Sequence, residues 1–569
     1  TREASANSRR DKLPESLESS NSTVKMGTGG TRPSEDKSCA IGFPVLRARS
    51  RAVVSAARLA CGVAFGLAFA PMPARPAPAA LPKPNIVFIL CDDLGYGDVR
   101  CNHPAGKIPT PHVDRLAAGG MRFTDAHTTS SVCTPTRYSL LTGRYNWRSR
   151  LQRGVLGGLS PSLIEPGRLT VAGLLRQHGY HTAAIGKWHL GLDWARMADR
   201  PPPERNDIER SNQVWSVDFT RPFAGGPRSV GFDYFFGIAA SLDMVPYTFL
   251  ENDRVTVVPT VDRAFAMTTG RKGGMTRRGP ATPEFAVEEV LPTLTRKAVE
   301  YIGQRAADAR AGKPFFLYLP FNAPHTPIAP TAEWRGRSGL NAYADFVMQT
   351  DASVGQVLEA LDRHGLTRHT LVLFTSDNGC SPEADIPQLR AAGHAVSGPL
   401  RGHKADLWDG GHRVPFIVRW PGQVAAGTVN DRLVSLVDFL ATCADLLGAT
   451  LPDDAGEDSV SFLPALLGRP TVKGRETLVH HSMQGRFALR QEQWKLLLCP
   501  GSGGWSAPRD AEAVRTAAAT FRPNPKFKTE TVITELGVGE ALVSVLDAQG
   551  TPTVVERAFV YPPATQLAP

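Results

Sequence analysis

Six kinds of side chain stand where chemistry on an anion would need them. Asp92 and Asp93 follow closely on the apolar run Ile86–Leu90, and Asp377 and Asn378 follow Leu371–Thr375 in the same way. Three carboxylates and an amide are hard oxygen ligands that suit Ca²⁺ or Mg²⁺ rather than a soft transition metal. Taken one pair at a time, Asp-Asp and Asp-Asn-Gly also serve as turn and capping residues. Lys187 and His189 follow His181–Ile185, His325 follows Phe315–Pro320, and Lys404 lies in Gly402-His403-Lys404. A tetrahedral anion beside a metal needs such cations and imidazoles, although any one of them alone suits solvated surface or a structural hydrogen bond. Cys133-Thr134-Pro135-Thr136-Arg137 completes the set. Pro135 suits the first turn of a helix, which puts Cys133 at a helix N-terminus with Arg137 one turn on. That placement predicts a low-pKa nucleophilic thiol, with a small buried hydrophobe as the plainer alternative.

These residues need elements that bring them together. From Lys83 onward, short β-branched apolar runs alternate with longer amphipathic stretches, the rhythm of an α/β domain. Strands are expected at Ile86–Leu90, His181–Ile185, Phe315–Pro320, Leu371–Thr375 and Phe416–Trp420, and a helix at Ala342–Arg363. In open α/β sheets ligands collect beyond the carboxyl ends of the strands, where the polar residues above stand. Pro- and Gly-rich connections at 200–231 and 268–284 exceed ordinary loop length and read as substrate-shaping insertions.

Composition bounds the function. With 569 residues, 42% hydrophobic and 21% charged, the chain can bury a large core and is neither fibrous nor disordered throughout. The net charge of +10 is concentrated in residues 1–84, which hold 13 Lys and Arg against 6 Asp and Glu. So small an excess over the remainder makes nucleic acid an unexpected partner. Eight cysteines without Cys-x-x-Cys or Cys/His ligand spacing exclude a disulfide scaffold, a zinc finger and an iron–sulfur site. Residues 1–46 read as a disordered leader. Residues 47–82 carry Arg47, Arg49 and Arg51, the apolar run Leu59–Ala70 and small residues with Pro, the order of a signal peptide. Export to the periplasm or outside the cell is expected, without a stable membrane anchor, because the apolar run is too short to span a bilayer.

Cys-x-Pro-x-Arg followed by Leu-Thr-Gly-Arg resembles the maturation and active-site signature of the type I sulfatases. CDDLGYGD at 91–98, CTPTRYSLLTGRY at 133–145, GKWHLG at 186–191, NAPHTP at 322–327, TSDNG at 375–379 and GHKADLWDGGHRVPFIVRWPG at 402–422 come in that family's order. Asp409 departs from the family's usual Glu. The resemblance implies an alkaline-phosphatase-like α/β fold, a mixed sheet flanked by helices, with a catalytic domain over 83–470 and a smaller, truncated C-terminal α+β subdomain over 471–512.

It also implies roles. Cys133 would be oxidised to formylglycine by a separate maturation enzyme, and its hydrate would attack sulfur. The second hydroxyl of that diol would let sulfate leave by collapse to the aldehyde, a route closed to serine. Asp92, Asp93, Asp377 and Asn378 would hold Ca²⁺. Arg137 and Lys187 would support the formylglycine oxygens, and Lys187 and Lys404 would balance sulfate charge. His325 would protonate the leaving alcohol, and His189 would take the proton at collapse. The stretches 237–253 and 500–506 resemble bacterial arylsulfatases and N-acetylgalactosamine-6-sulfatases. They point to a sulfated glycan rather than a free aryl sulfate, with Asp243 and Tyr247 as sugar contacts or scaffold residues. A phosphonate or phosphate ester hydrolase of the same superfamily is the rival activity. Phe487–Leu498 resembles the opening strands of the family's C-terminal sheet, whose continuation is missing after Pro508. Residues 520–563 instead resemble part of HerA-like ATPases, so 513–569 read as a fused tail; without a phosphate loop anywhere in the chain, ATPase activity does not come with it.

Overall fold

A computed structural model describes residues 81–198, 213–270, 274–469 and 474–507, with the backbone of Glu540–Val543 and Glu556–Phe559. The leader, the signal-peptide region and most of the tail lie outside the described residues. Among the described residues, no helix is long and apolar enough to cross a membrane.

The centre is a ten-stranded sheet. Five of its strands run parallel, in the spatial order Thr370–Ser376, Asn85–Cys91, Phe315–Pro320, His181–Lys187 and Tyr234–Ile238. Phe416–Arg419 pairs antiparallel beside Thr370–Ser376 and is followed by the short strands Met121–Phe123 and Thr428–Asn430. Leu250–Glu251 and Arg254–Val255 complete the opposite edge. The central parallel strands carry apolar runs without alternating polar residues, such as residues 86–90 and 371–374, because helices cover both faces. Alternation shows this at one step of the chain: Phe315 meets Tyr301 of the helix Val290–Arg310, whereas Phe316 meets Phe439 of the helix Phe439–Leu447 on the other side. The helix Ala342–Arg363 has the bounds that its periodicity predicts, and Asn341 caps its start by accepting from the Ala344 amide at 3.1 Å.

The strands Thr477–His481, Phe487–Gln491 and Trp494–Leu497 form a separate antiparallel sheet. Its first strand was not anticipated from sequence. In its last strand Lys495 turns inward, while Trp494 and Leu496 are 74% and 43% exposed. Glu540–Val543 and Glu556–Phe559 pair antiparallel with each other.

Candidate active site

The carboxyl ends of the parallel strands bring the expected residues together. Asp92 and Asp93 leave Asn85–Cys91, Lys187 ends His181–Lys187, His325 follows Phe315–Pro320, and Asp377 and Asn378 leave Thr370–Ser376. The turns interlock: the Asp92 amide donates to Ala323 O and the Asp377 amide to Cys91 O, each at 3.0 Å. Asp93 sits in the left-handed region at φ 65°, a conformation costing on the order of 1 kcal/mol that neighbouring hydrogen bonds must hold. Asp98 supplies part of that support. It accepts from the Gly95 amide at 2.8 Å, and buried Tyr343 and His394 also bond to it.

All four oxygen-bearing residues are buried, and each carboxylate faces a cation. Arg137 donates to Asp377 Oδ2 from Nε at 3.0 Å and from Nη2 at 2.7 Å, and from Nη1 to Lys187 O at 2.9 Å. Lys187 Nζ donates to Asp92, and Lys404 Nζ lies 2.7 Å from Asp93 Oδ1 and 2.8 Å from Oδ2. Burial opposes the Asp92 charge, but Lys187, His325 and Arg137 outweigh it and hold the acid well below its usual range. Burial and then repulsion from Asp92 push Asp377 up to about 7 despite Arg137. Lys404 is held above the ordinary lysine range, because Asp93 overcomes the effect of burial.

This donor set fits a hard divalent cation. Asp92 Oδ1 and Asn378 Oδ1 are buried without a hydrogen-bond partner, and Asn378 donates through Nδ2 to Asp93 Oδ1 at 2.7 Å, leaving its carbonyl oxygen to face a ligand. Oxygens of Asp92 and Asp93 and a ring nitrogen of His325 lie within 4.8 Å of one another. A cation among the carboxylates would remove the repulsion that raises Asp377.

Cys133 begins the helix Cys133–Thr142, as expected, but it is 2% exposed and burial raises its thiol pKa even with Lys187 and Lys404 in reach. The thiolate expected from the helix dipole is therefore not favoured; desolvation outweighs the dipole. Arg137 is engaged by Asp377 and the Lys187 carbonyl, so it braces the site from behind. His189 lies at φ 56° and donates from Nε2 to Leu156 O at 2.7 Å, because a carbonyl only accepts; its buried Nδ1 carries a lone pair without a partner. His325 donates from Nδ1 to Thr326 O at 2.6 Å and turns Nε2 toward Asp93 Oδ2 at 3.6 Å.

The two sugar-contact candidates differ. Tyr247 is fully buried and its hydroxyl bonds to Thr276 and the Arg277 carbonyl, which makes it a scaffold residue, the alternative its sequence left open. Asp243 pairs with Arg277 at 2.7 Å and stays partly accessible.

Gly379 marks a close approach. A Cβ there would stand 1.8 Å from Gly410 O, and its amide donates to Gly411 O at 2.9 Å. Gly379→Ala is expected to destabilise the protein by about 2 kcal/mol through overpacking, read as a lowered midpoint in thermal unfolding; an unchanged midpoint would show that the turn at 409–412 yields freely.

Residues 84–449 match the family model described as Sulfatase. The chain belongs to the sulfatase family. It is 33% identical over 466 residues to an N-acetylgalactosamine-6-O-sulfatase of Bacteroides thetaiotaomicron, covering 76% of this chain and 84% of that one. Human arylsulfatase A is 35% identical over 424 residues, covering 72% and 74%. A solved structure from Bacteroides thetaiotaomicron glycosaminoglycan metabolism superposes with a TM-score of 0.62 at 33% identity, covering 73% of this chain and 87% of that one. A solved Pseudoalteromonas sulfatase does so with a TM-score of 0.55 at 26% identity, covering 73% and 78%. The sheet and its flanking helices are the alkaline-phosphatase-like fold of these sulfatases, and the enzyme is a sulfuric ester hydrolase. Residues 505–569 of this sulfatase match a second model, Helicase HerA-like C-terminal.

Proposed function

We propose that this sulfatase removes 6-O-sulfate from N-acetylgalactosamine units of a sulfated glycan, using formylglycine at position 133 and Ca²⁺. The carrying observation is the convergence of three buried carboxylates, an orphaned amide oxygen, two lysines and two histidines beside the start of the Cys133 helix. The similarity to an N-acetylgalactosamine-6-O-sulfatase supports the sugar.

Once matured, residue 133 would supply a geminal diol as nucleophile. Asp92, Asp93, Asp377 and Asn378 would hold the cation, which supplies Lewis-acid polarisation of the sulfate and lowers the pKa of the attacking hydroxyl. The chain's own groups do the rest. Lys187 and Lys404 bind and orient the sulfate oxygens, each already fixed through a carboxylate. Arg137 holds Asp377 and the end of the Lys187 strand in place. His325 delivers a proton from Nε2 to the departing sugar oxygen, and His189 takes one at Nδ1 when sulfate is released. Asp243, braced by Arg277, contacts the sugar. The protein acts on the glycan after export, and before it folds it is a substrate of a formylglycine-generating enzyme.

The test is to incubate exported enzyme with N-acetylgalactosamine 6-sulfate, its 4-sulfate isomer, an aryl sulfate and a phosphodiester. Free sulfate from the 6-sulfate at a kcat/KM at least about tenfold above the isomer is expected. Turnover of the phosphodiester alone would overturn the proposal.

A further inference from the structure

A second buried cluster lies behind the segment that leads into Cys133. His127, His412 and His480 are fully buried, and they are tied to Asp125, Asp409, Arg490 and Lys495. Their hydrogen positions follow from the acceptors. The Lys495 ammonium has three N–H donors and meets three acceptors: Asp409 Oδ1 at 2.8 Å, Leu407 O, and His412 Nε2 at 2.5 Å. His127 donates from Nε2 to Asp125 Oδ1 at 2.9 Å, so its neutral ring accepts at Nδ1 from His412 Nδ1 at 3.0 Å, which leaves the lone pair on His412 Nε2; Leu407 O, 3.1 Å from that nitrogen, is served by Lys495 instead. Arg490 closes the ring, donating to Asp125 at 2.9 and 3.0 Å and lying 3.6 Å from Asp409. His480 stacks on His412 with centroids 3.7 Å apart and donates from Nδ1 to Thr128 O at 3.2 Å.

A metal does not suit these histidines. A ligating imidazole holds its ion in the ring plane, and the planes of His412 and His480 are stacked at 20° with a lysine ammonium at the edge of one. Burial lowers the pKa of all three rings and keeps them neutral, as a directional hydrogen-bond chain requires.

The chain has a mechanical destination. Thr128 N donates to His412 O at 2.8 Å, His481 N to Thr129 O at 2.9 Å, Ser131 N to His481 O at 3.0 Å and Ala405 N to Ser131 O at 2.9 Å. The backbone just before Cys133 is thus strapped to the small C-terminal sheet on one side and to the Lys404 segment on the other. Lys495 is the only member of the ring carried by the last described strand of that sheet, Trp494–Leu497.

We propose that Lys495, through His412 and His127, is a positioning residue that fixes the register of residues 128–133 and so the aim of the nucleophile toward the sulfate. The inference rests on the proposed function for its kinetic consequence, but the proton arrangement stands apart from it. Two measurements test it. In ¹⁵N-histidine NMR of the unaltered protein, His412 should show a protonated Nδ1 and a bare Nε2; a proton on Nε2 overturns the chain. In Lys495→Met, compared with the parent at equal formylglycine content by peptide mass spectrometry, kcat for N-acetylgalactosamine 6-sulfate should fall about tenfold or more with KM within about twofold. A kcat equal to the parent's, or a loss confined to KM, overturns the positioning role. If Lys495→Met does not fold, the NMR result on the parent decides. A parent that releases no sulfate sinks the proposed function and leaves the NMR criterion intact.

Discussion

Cys133→Ala is expected to abolish sulfate release, by on the order of 10⁴-fold or more, while the protein stays folded. The change deletes one sulfur at a buried helix start, and the loss of that packing costs about 1 kcal/mol. The charge pairs around it do not use the thiol: Lys187 keeps Asp92, Lys404 keeps Asp93, and Arg137 keeps Asp377. The unfolding midpoint should therefore fall by no more than about 2–4 °C and Ca²⁺ binding should match the parent, so that lost activity reports chemistry rather than structure. Cys133→Ser separates nucleophile from aldehyde, because a serine could accept sulfate once and would lack the second hydroxyl that releases it. Steady turnover by Cys133→Ala would end the formylglycine mechanism, and an unmodified thiol in the active parent would do the same.

Removing the metal is expected to have the second largest effect. Exhaustive chelation should eliminate turnover and lower the unfolding midpoint, and Ca²⁺ should restore both; a ligand at about a thousandfold its Kd adds about 4 kcal/mol to the folded state. Without a dication, Asp92 and Asp377 repel across a dry interior, and Asp377 rises to about 7, so that it holds a proton for part of the time at neutral pH. Calorimetric titration of the chelated protein with Ca²⁺ gives a readout free of catalysis. Asp377→Asn keeps the shape of the side chain but removes the charge facing Arg137; breaking such a buried pair costs about 3–5 kcal/mol and should abolish Ca²⁺ binding. Full activity after chelation, or undiminished Ca²⁺ affinity in Asp377→Asn, would refute the assignment.

The parallel strands and the helix Ala342–Arg363 were legible because their signals are local: apolar runs, a periodic face and a capping Asn341. The gathering of Asp92, Lys187, His325 and Asp377 was legible for a related reason, since each follows a strand and parallel strands end together. What the sequence hid is pairing across distance. Arg137 and Asp377 are 240 residues apart, and nothing near either names the other. The motif around Cys133 suggested Arg137 as a contact to the nucleophile, and three of its five N–H groups also tie it to Asp377 and a backbone carbonyl. The expectation of a thiolate failed because a helix start can be read from Pro135, but burial cannot. The His127, His412 and Lys495 chain escaped for the same reason: its members stand on three separate segments, and Lys495 sits in a stretch that otherwise looks like an ordinary strand. Asp409, the departure from the family's usual Glu, anchors Lys495, a partner 86 residues away that its own motif does not name.

The burial of Cys133 also imposes a sequence of events in time. The folded protein encloses that thiol within a helix behind paired charges, so no second enzyme can reach it without undoing the sheet ends that hold it. Under the proposed mechanism, the maturation enzyme would have to meet residues 133–137 before the chain folds. Folding and modification are then competitors, and whichever finishes first decides the fate of each molecule. On that mechanism a chain that closes early would be well formed but silent, and later addition of the modifying enzyme would not recover it. The specific activity of a preparation would thus record how fast the chain folded relative to its processing.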